Sequence, residues 1–208
     1  MKDIFRVWVC HKSIWGYALV ASVSALLMIK RGSFFHHWYL VSILVLVPFY
    51  EWVVHKYILH MEMKSNNPKL QAFLDKIHAG HHEDPRDLEL VFAPFLVGVQ
   101  VPLSFFLLAL FFGGSIDQAL KLALIVQLYY MFYEWMHLAH HTESYRPKTK
   151  LGTVLKQTHT WHHYKNENYW WGVTSVLGDK LVGTCPDPKH VPRSHSVKDI
   201  HRVEENTL

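Results

Sequence analysis

Uncharged, mainly apolar blocks alternate with polar segments along the 208-residue chain. The blocks cover residues 14–29, 38–50, 91–112 and 122–133, the last interrupted only by Gln127. Only the third has the usual length of a membrane-spanning helix, about 20 residues. Four core helices of a soluble bundle are the alternative, but such helices keep a charged face toward water. The first and third blocks have no such face, so the pattern predicts an all-α integral membrane protein with four transmembrane helices.

The distribution of aromatic and basic residues predicts how the helices are oriented. Trp15, Trp38 and Trp135 are among the aromatic residues that flank the blocks, as in the interfacial belt of membrane proteins. If the blocks form two hairpins, all but three of the 21 Lys and Arg residues lie on one side of the membrane. By the positive-inside rule that side is the cytoplasm. We therefore expect a multi-pass protein whose two termini are cytoplasmic.

Composition narrows the class of protein further. Hydrophobic residues make up 50% of the chain and aromatic residues 14%, which is rich for a soluble protein. The formal net charge of +4 suits an anionic membrane surface, and no separate basic stripe suggests a nucleic-acid partner. Two cysteines, Cys10 and Cys185, are too few for a disulfide framework. We expect a single domain over residues 1–208, with a core over about 14–185 and a polar, extended or loosely packed tail over 186–208.

Histidine is the most informative residue type, with 17 copies. Eleven of them form four clusters, namely His55-x4-His60, His78-x2-His81-His82, His137-x2-His140-His141 and His159-x2-His162-His163. Histidines three or four positions apart lie on one helix face. Apolar periodicity predicts helices over residues 70–82 and 154–164 that present the second and fourth clusters. The other six stand in polar or terminal contexts and are expected not to bind metal, namely His11, His36, His37, His190, His195 and His201.

The clustered histidines predict a buried metal centre. We expect it on the cytoplasmic side of the membrane, where the basic residues lie. Neutral imidazole is the commonest protein ligand of transition metals, and about ten ligands suit two ions. A structural zinc site would normally use four ligands and include cysteine. The His55 and His60 pair is the exception in geometry, because five residues turn an ideal helix by about 500° and leave the side chains about 140° apart. They can share an ion only if it lies between them or if the helix loosens there.

Carboxylates beside the clusters are candidates to orient the ligands. Glu51 and Glu134 each belong to a Phe-Tyr-Glu-Trp stretch and stand one turn before His55 and His137, respectively. A metal-bound histidine usually donates its other ring N–H to such a group. We expect Glu51, Glu134 and Asp179 to accept these hydrogen bonds.

The four clusters and three later stretches resemble the fatty acid hydroxylase/sterol desaturase superfamily. The stretches are THTWHHY at 158–164, WGVTS at 171–175 and GDKLVGT at 178–184, which are similar to the C-terminal signature of fatty acid 2-hydroxylases. The resemblance covers about residues 40–185. It implies four transmembrane helices under a cytosolic, histidine-rich helical cap that holds a di-iron site. It also implies that O2 and two electrons insert a hydroxyl group into an acyl C–H bond.

The resemblance also implies which histidines bind each ion. One ion would take His55, His60, His78, His82 and His162, and the other would take His81, His137, His141, His159 and His163. His140 falls outside the family pattern and is expected to support the ligands without binding an ion. Iron is the expected working metal, with zinc as the alternative occupant of purified samples. Since the chain leaves no room for a cytochrome b5 domain, the expected electron donor is a separate protein of the cytochrome b5 or ferredoxin type.

The predicted function is therefore a membrane-bound monooxygenase that hydroxylates a lipid or fatty acyl chain. A sterol or carotenoid oxidase, desaturase or hydroxylase of the same superfamily is the nearest alternative, because it uses the same metal chemistry. A membrane protein that binds or transports metal is an alternative of another class. It would need ionisable residues deep within the spans, whereas the histidines here stand at one edge of the predicted membrane region.

Overall fold

The computed structural model of the protein describes residues 2–200 and is α-helical, with no β-strand in that range. The α-helices are α1 (Lys2–Cys10), α2 (Lys12–Lys30), α3 (Val47–Val54), α4 (Pro68–Asp75), α5 (Ala79–Glu83), α6 (Leu88–Val91), α7 (Phe95–Phe111), α8 (Ile116–His141), α9 (Lys150–Tyr164) and α10 (Leu177–Val182). Short 3₁₀ segments cover Trp38–Val45 and Pro188–His190, and a π-helical turn covers His55–Leu59. His201 lies outside the described residues. The all-α class predicted from the sequence is confirmed.

The chain divides into two compact units. The first consists of Met1–Leu46 with Phe92–Met136, and the second of Val47–Val91 with His137–Leu208. The boundary falls within α8, which contributes its C-terminal turns to the second unit. All eleven clustered histidines therefore belong to the second unit.

Close helix packing holds the first unit together. The fully buried ring of Tyr17 on α2 fits against Gly98 on α7, where a Cβ atom would come within 2.2 Å of the ring. Beyond this contact, Ala21 and Met28 of α2 form a buried cluster with apolar residues of α8. Glycine at position 98 is thus required for the approach of α2 to α7, because any larger residue would push the two helices apart.

Two of the three basic residues expected on the side away from the histidines, Arg31 and Lys121, interact with a carboxylate or with aromatic rings. Arg31 forms an ion pair with Asp117 at 2.5 Å. Lys121 has no exposed surface, although it is a charged residue, and its Nζ donates to the carbonyl oxygen of Phe34 at 2.5 Å. The same ammonium group lies 3.7 Å from the ring centroid of Trp38, which stabilises a desolvated cation. The guanidinium group of Arg31 is therefore paired with a carboxylate, and the ammonium group of Lys121 lies against an aromatic ring.

The described residues contain two helices that are long and apolar enough to cross a membrane, Lys12–Lys30 and Leu88–Phe111. The bent pair Trp38–Val45 and Val47–Leu59 makes a third if it is one broken span. The second apolar block is thus not the regular helix that its composition predicts. The fourth block lies within α8, which is long enough to span but carries Lys121, Gln127 and Glu134. The prediction of membrane-capable helices is confirmed, and the count of four stays a prediction.

The second unit departs from the sequence prediction in one of its helices. The helix predicted over residues 70–82 is broken between α4 and α5, where residues 76–78 form a turn and His78 has a φ of −157° and a ψ of −38°. The described part of the C-terminal tail, residues 186–200, is mostly exposed, and within it Val191 and Val197 are buried. The prediction of an extended or loosely packed tail stays a prediction.

Candidate metal centre

The helix carrying His55 and His60 changes its winding at these residues. In the π-helical turn His55–Leu59 the backbone N–H of His60 donates to the carbonyl oxygen of His55 at 3.3 Å, an i to i+5 bond. Such a turn places residues five apart almost above one another, and π-turns are frequent at functional sites. The two rings consequently lie with their centroids 5.2 Å apart. An ideal helix would point these two side chains apart, and the wider π-helical turn brings them together.

The break between α4 and α5 has the same effect on the second cluster. The turn at residues 76–78 places the ring of His78 next to α5, so that Nε2 of His78 lies 3.1 Å from Nε2 of His82. Meanwhile His81 points to the other side of the short helix and meets Nε2 of His141 at 3.0 Å. One cluster therefore supplies ligands to two separate places.

The third and fourth clusters need no such distortion. The helix α8 continues through residues 137–141, and α9 covers all of the fourth cluster. His159 and His163 lie one turn apart on α9 with ring centroids 4.6 Å apart. These two helices are the ones that the 3.6-residue period alone predicts.

Together the elements assemble two groups of five imidazoles. Within each group, one ring nitrogen of every member lies within 4.8 Å of those of all the others. The first histidine group is His55, His60, His78, His82 and His162, and the second histidine group is His81, His137, His141, His159 and His163. The rings of His82 and His163, one from each group, have centroids 4.1 Å apart. The structure thus brings together the two sets that the family resemblance implies.

Hydrogen bonds from the outer edge of several rings fix the tautomer. Nδ1 of His55 lies 2.5 Å from the carbonyl oxygen of Trp171, and Nδ1 of His82 lies 3.2 Å from that of Val197. Nδ1 of His162 meets the carbonyl oxygen of Tyr169 at 2.8 Å, and that of His137 meets Val91 at 3.0 Å. Because a carbonyl oxygen only accepts, each Nδ1 carries the proton. Each Nε2 therefore presents a lone pair to the interior of its group.

The inner ring nitrogens of the first group are better placed to bind a cation than to form hydrogen bonds with one another. In the first group, Nε2 of His78 lies 3.0 Å from that of His55 and 3.1 Å from that of His82. Both neighbours present lone pairs, and His78 has at most one proton for the two of them. Two nitrogens bound at about 2.0–2.1 Å and at right angles to one ion are about 2.9 Å apart. The observed spacing is that of ligands sharing a metal ion.

Buried nitrogens in the same region lead to the same conclusion. His162 and His163 have no exposed surface, and Nε2 of His162 and both ring nitrogens of His163 make no hydrogen bond. Burying an unpaired polar group costs about 1–3 kcal/mol. A metal ion satisfies such nitrogens, so the residues present fit transition-metal ions.

Burial also keeps these rings neutral. It lowers the pKa of His78, His159 and His163 well below 6.5, and the neighbouring histidines add to the effect. The pKa of His137 falls to about 3 for the same first reason. At pH 7 these imidazoles are therefore neutral, with one proton on each ring, which is the form that binds a metal.

The four residues expected to support the ligands take different positions. His140 belongs to neither group, and its Nε2 donates to the carbonyl oxygen of Val173 at 2.9 Å. Glu134 accepts from the backbone N–H of Ala93 at 3.4 Å. Glu51 and Asp179 accept hydrogen bonds from backbone N–H groups near residue 172. The outward N–H groups of His55 and His137, expected to meet Glu51 and Glu134, bond to backbone carbonyls.

Two features of the site were missed by the sequence reasoning. The indole ring of Trp171 lies against the first group, with its centroid 4.6 Å from that of His60 and 5.1 Å from that of His162. The described tail supplies the carbonyl oxygen of Val197 to His82. The WGVTS stretch was an available signal for Trp171, whereas no local pattern identifies a backbone carbonyl as a ligand support.

The histidines predicted to be bystanders lie outside both groups where they are described. His11 caps α2 by accepting from the backbone N–H of Ser13 at 3.3 Å, and it stacks on Phe92 at 3.9 Å between centroids. His36, His37, His190 and His195 are also absent from the two groups. Ten of the eleven clustered histidines thus lie in the two groups, and the described isolated histidines lie outside them.

Comparisons with known proteins agree with this geometry. The fatty acid hydroxylase family model matches residues 40–184. A dihydroceramide fatty acyl 2-hydroxylase of Arabidopsis thaliana is 31% identical over 153 residues, which cover 68% of this chain and 57% of the relative. The fatty acid 2-hydroxylase of Mus musculus is 26% identical over 144 residues, covering 68% and 38%. The chain thus spans only part of the length of these relatives.

A solved structure gives independent support for the fold. The structure described as full-length scs7p, with only its hydroxylase domain visible, superposes with a TM-score of 0.70. It is 23% identical and covers 88% of this chain and 68% of that chain. The family model covers well over half of the sequence and includes every clustered histidine. The chain belongs to the fatty acid hydroxylase family.

Proposed function

We propose that this protein is a membrane-bound di-iron oxygenase that hydroxylates the acyl chain of a lipid. The convergence of ten histidines in two groups of five is the observation that carries the proposal. The first histidine group would hold one iron ion and the second would hold the other. The ions would supply the binding and reduction of O2. The overall reaction consumes O2, two electrons and two protons, and it converts one C–H bond into C–OH with release of water.

The residues around the two histidine groups provide a buried, apolar environment for the proposed reaction. The buried imidazoles would hold both ions in a low-dielectric site that is largely closed to water. Trp171 forms an apolar wall beside the first group. The membrane-capable helices expose large apolar side chains, such as Leu19 and Leu96, as contact with acyl chains requires. An acyl substrate enters from the bilayer, and a separate electron-donor protein delivers the electrons.

The names of the relatives narrow the substrate class. Relatives in a plant and a mouse are named as 2-hydroxylases of fatty acyl groups, one of them for dihydroceramide. We therefore propose carbon 2 of an acyl chain as the position of hydroxylation, in preference to a sterol or carotenoid. The α7 helix, Phe95–Phe111, carries no ionisable residue, which disfavours a pathway for metal transport through that helix.

The function is tested by lipid analysis in cells that make no 2-hydroxy acyl chains of their own. Cells producing the protein under ¹⁸O2 should accumulate 2-hydroxy acyl lipids that carry one ¹⁸O atom. Cells producing the His163→Ala variant at the same level should not. Product with oxygen from water, or a hydroxyl group at another position, would contradict the proposal in its mechanism or its position, respectively.

The orientation in the membrane is a second prediction. The basic-residue asymmetry places residues 61–87 and 142–149 in the cytoplasm and residues 31–37 and 113–115 on the opposite side. Single cysteines at the exposed positions Asn66 and Ser144 should react with an impermeant reagent only from the cytoplasmic side. Cysteines at His36 and Ser115 should react only from the other side.

The labelling experiment needs two precautions that the structure identifies. Cys10 is exposed, so Cys10 and Cys185 must both be replaced first. Ser33 is unsuitable as a probe, because it is buried and its hydroxyl group donates to Asp117 at 3.0 Å. Reaction of all four probes from a single side would show that the segments between them do not cross the membrane.

A further inference from the structure

The backbone of residues 169–174 supports three histidines at once. The carbonyl oxygens of Tyr169, Trp171 and Val173 accept from ring N–H groups of three different histidines. The donors are, in the same order, His162, His55 and His140, at 2.8, 2.5 and 2.9 Å. The three acceptors are alternate residues of one short segment that has no regular secondary structure. His55 and His162 both belong to the first histidine group.

Two buried carboxylates bind the N–H groups of the same segment. Oδ1 of Asp179 accepts from the N–H of Trp171 at 3.0 Å, and Oδ2 accepts from the N–H of Gly172 at 2.7 Å. Oε1 of Glu51 accepts from the N–H groups of Val173 and Thr174, the latter at 2.8 Å. Four consecutive N–H groups are thereby bound by two side chains that are 1% and 6% exposed.

The local backbone is shaped for this arrangement. Trp170 has a φ of 58°, a left-handed conformation that a non-glycine residue keeps only when the surroundings enforce it. Its N–H donates to the carbonyl oxygen of Thr184 at 2.9 Å. A Cβ atom on Gly172 would come within 1.9 Å of the carbonyl oxygen of Ser175. Only glycine therefore allows the chain to lie this close to the loop that follows it.

We propose that Asp179 and Glu51 are positioning residues of the metal centre, which act on the histidines through the backbone of residues 169–174. Asp179 binds the N–H group of the peptide that contains the carbonyl oxygen of Trp171, and also that of the preceding peptide. Glu51 binds the corresponding two N–H groups for the carbonyl oxygen of Val173. Neither carboxylate needs to touch an imidazole. The inference deepens the proposed function, since it assumes that the first histidine group binds a metal ion.

The two carboxylates differ in a way that allows a sharp test. Both oxygens of Asp179 accept from backbone N–H groups, so an Asn side chain must turn its NH2 group toward one of these donors. In Glu51 a single oxygen accepts both N–H groups, and the other accepts from the hydroxyl group of Thr174 at 2.6 Å. A hydroxyl group can rotate and accept instead. Glu51→Gln should thus be tolerated where Asp179→Asn is not.

The experiment measures Zn²⁺ binding to the purified full chain and to three variants. We expect the parent and Glu51→Gln to hold two ions, and Asp179→Asn to bind one of the two about 10- to 100-fold more weakly in chelator competition. Asp187→Asn is the matched control, because the exposed Asp187 accepts from a single backbone N–H, that of Lys189 at 2.9 Å. It should behave as the parent does.

A second measurement does not depend on metal. Hydrogen exchange of the metal-free proteins should show faster exchange at Trp171 and Gly172 in Asp179→Asn, with the exchange in α9 unchanged. Two ions held by Asp179→Asn as tightly as by the parent would overturn the inference. So would equal weakening of both ions together with faster exchange throughout, which would reveal a general loss of folding, or Glu51→Gln being as impaired as Asp179→Asn. A parent that binds two zinc ions but yields no hydroxylated lipid with iron would refute the proposed function and leave this inference standing.

Discussion

Replacing His163 by alanine should remove at least one of the two metal ions and abolish product formation. His163 is completely buried, and its ring lies with its centroid 4.6 Å from those of His81, His141 and His159. Alanine removes a ligand nitrogen, and no spare donor in the second histidine group can replace it. Elemental analysis of the purified variant and assay of 2-hydroxy acyl lipids are the measurements.

His140→Ala is the matched control for this variant. His140 is also a buried histidine on a helix, so alanine removes the same volume from the core. The lost contact is the hydrogen bond to the carbonyl oxygen of Val173. Loss of such a supporting contact costs about 10- to 100-fold in metal affinity or activity. We expect both ions and part of the activity to remain. Loss of an ion from His140→Ala but not from His163→Ala would show that the ligand assignment is wrong.

Removing both ions should lower the thermal stability of the protein strongly. A ligand present at about 1,000 times its Kd stabilises the folded state by about 4 kcal/mol, and two ions double this. In a protein of this size each kcal/mol changes Tm by about 2–4 °C. The unprotonated nitrogens that face one another in the first group add to the cost of the metal-free state. We therefore expect Tm to fall by at least about 15 °C.

The measurement compares the protein in detergent before chelation, after chelation and after addition of Fe²⁺ or Zn²⁺. Tryptophan fluorescence is a suitable signal, since Trp171 lies against the first histidine group. Metal content measured on the same samples should be close to two ions per chain and should return with Tm. A content of one ion or less that does not rise on metal addition would exclude the two-ion site.

Local periodicity determined the part of the site that lies on regular helices. The spacing of His159, His162 and His163 predicts one helix face, and α9 presents all three in this way. The uninterrupted course of α8 into His137 and His141 is likewise a property of the sequence nearby. Such predictions succeed because residues one turn apart have their relative positions fixed by the 3.6-residue repeat.

The same periodicity failed where tertiary contacts overrode it. An ideal helix separates His55 from His60, and the structure joins them through a π-helical turn. A continuous amphipathic helix was predicted over residues 70–82, yet the backbone breaks at His78. In each case a small local distortion brings a ligand into its group. The free-energy cost of each distortion is offset by contacts with residues far away in the chain. A prediction from neighbouring residues does not include those contacts.

By itself, the sequence determined the helical class, the membrane-capable helices and, through the family resemblance, the membership of the two histidine groups. Only the tertiary structure decided which nitrogen of a ring faces the centre. The orienting carbonyls stand 116 residues from His55, 115 from His82 and 46 from His137. A backbone carbonyl is the same group in every residue type, so no side-chain pattern marks it. The fold selects these carbonyls by placing distant segments within hydrogen-bonding distance of the imidazoles.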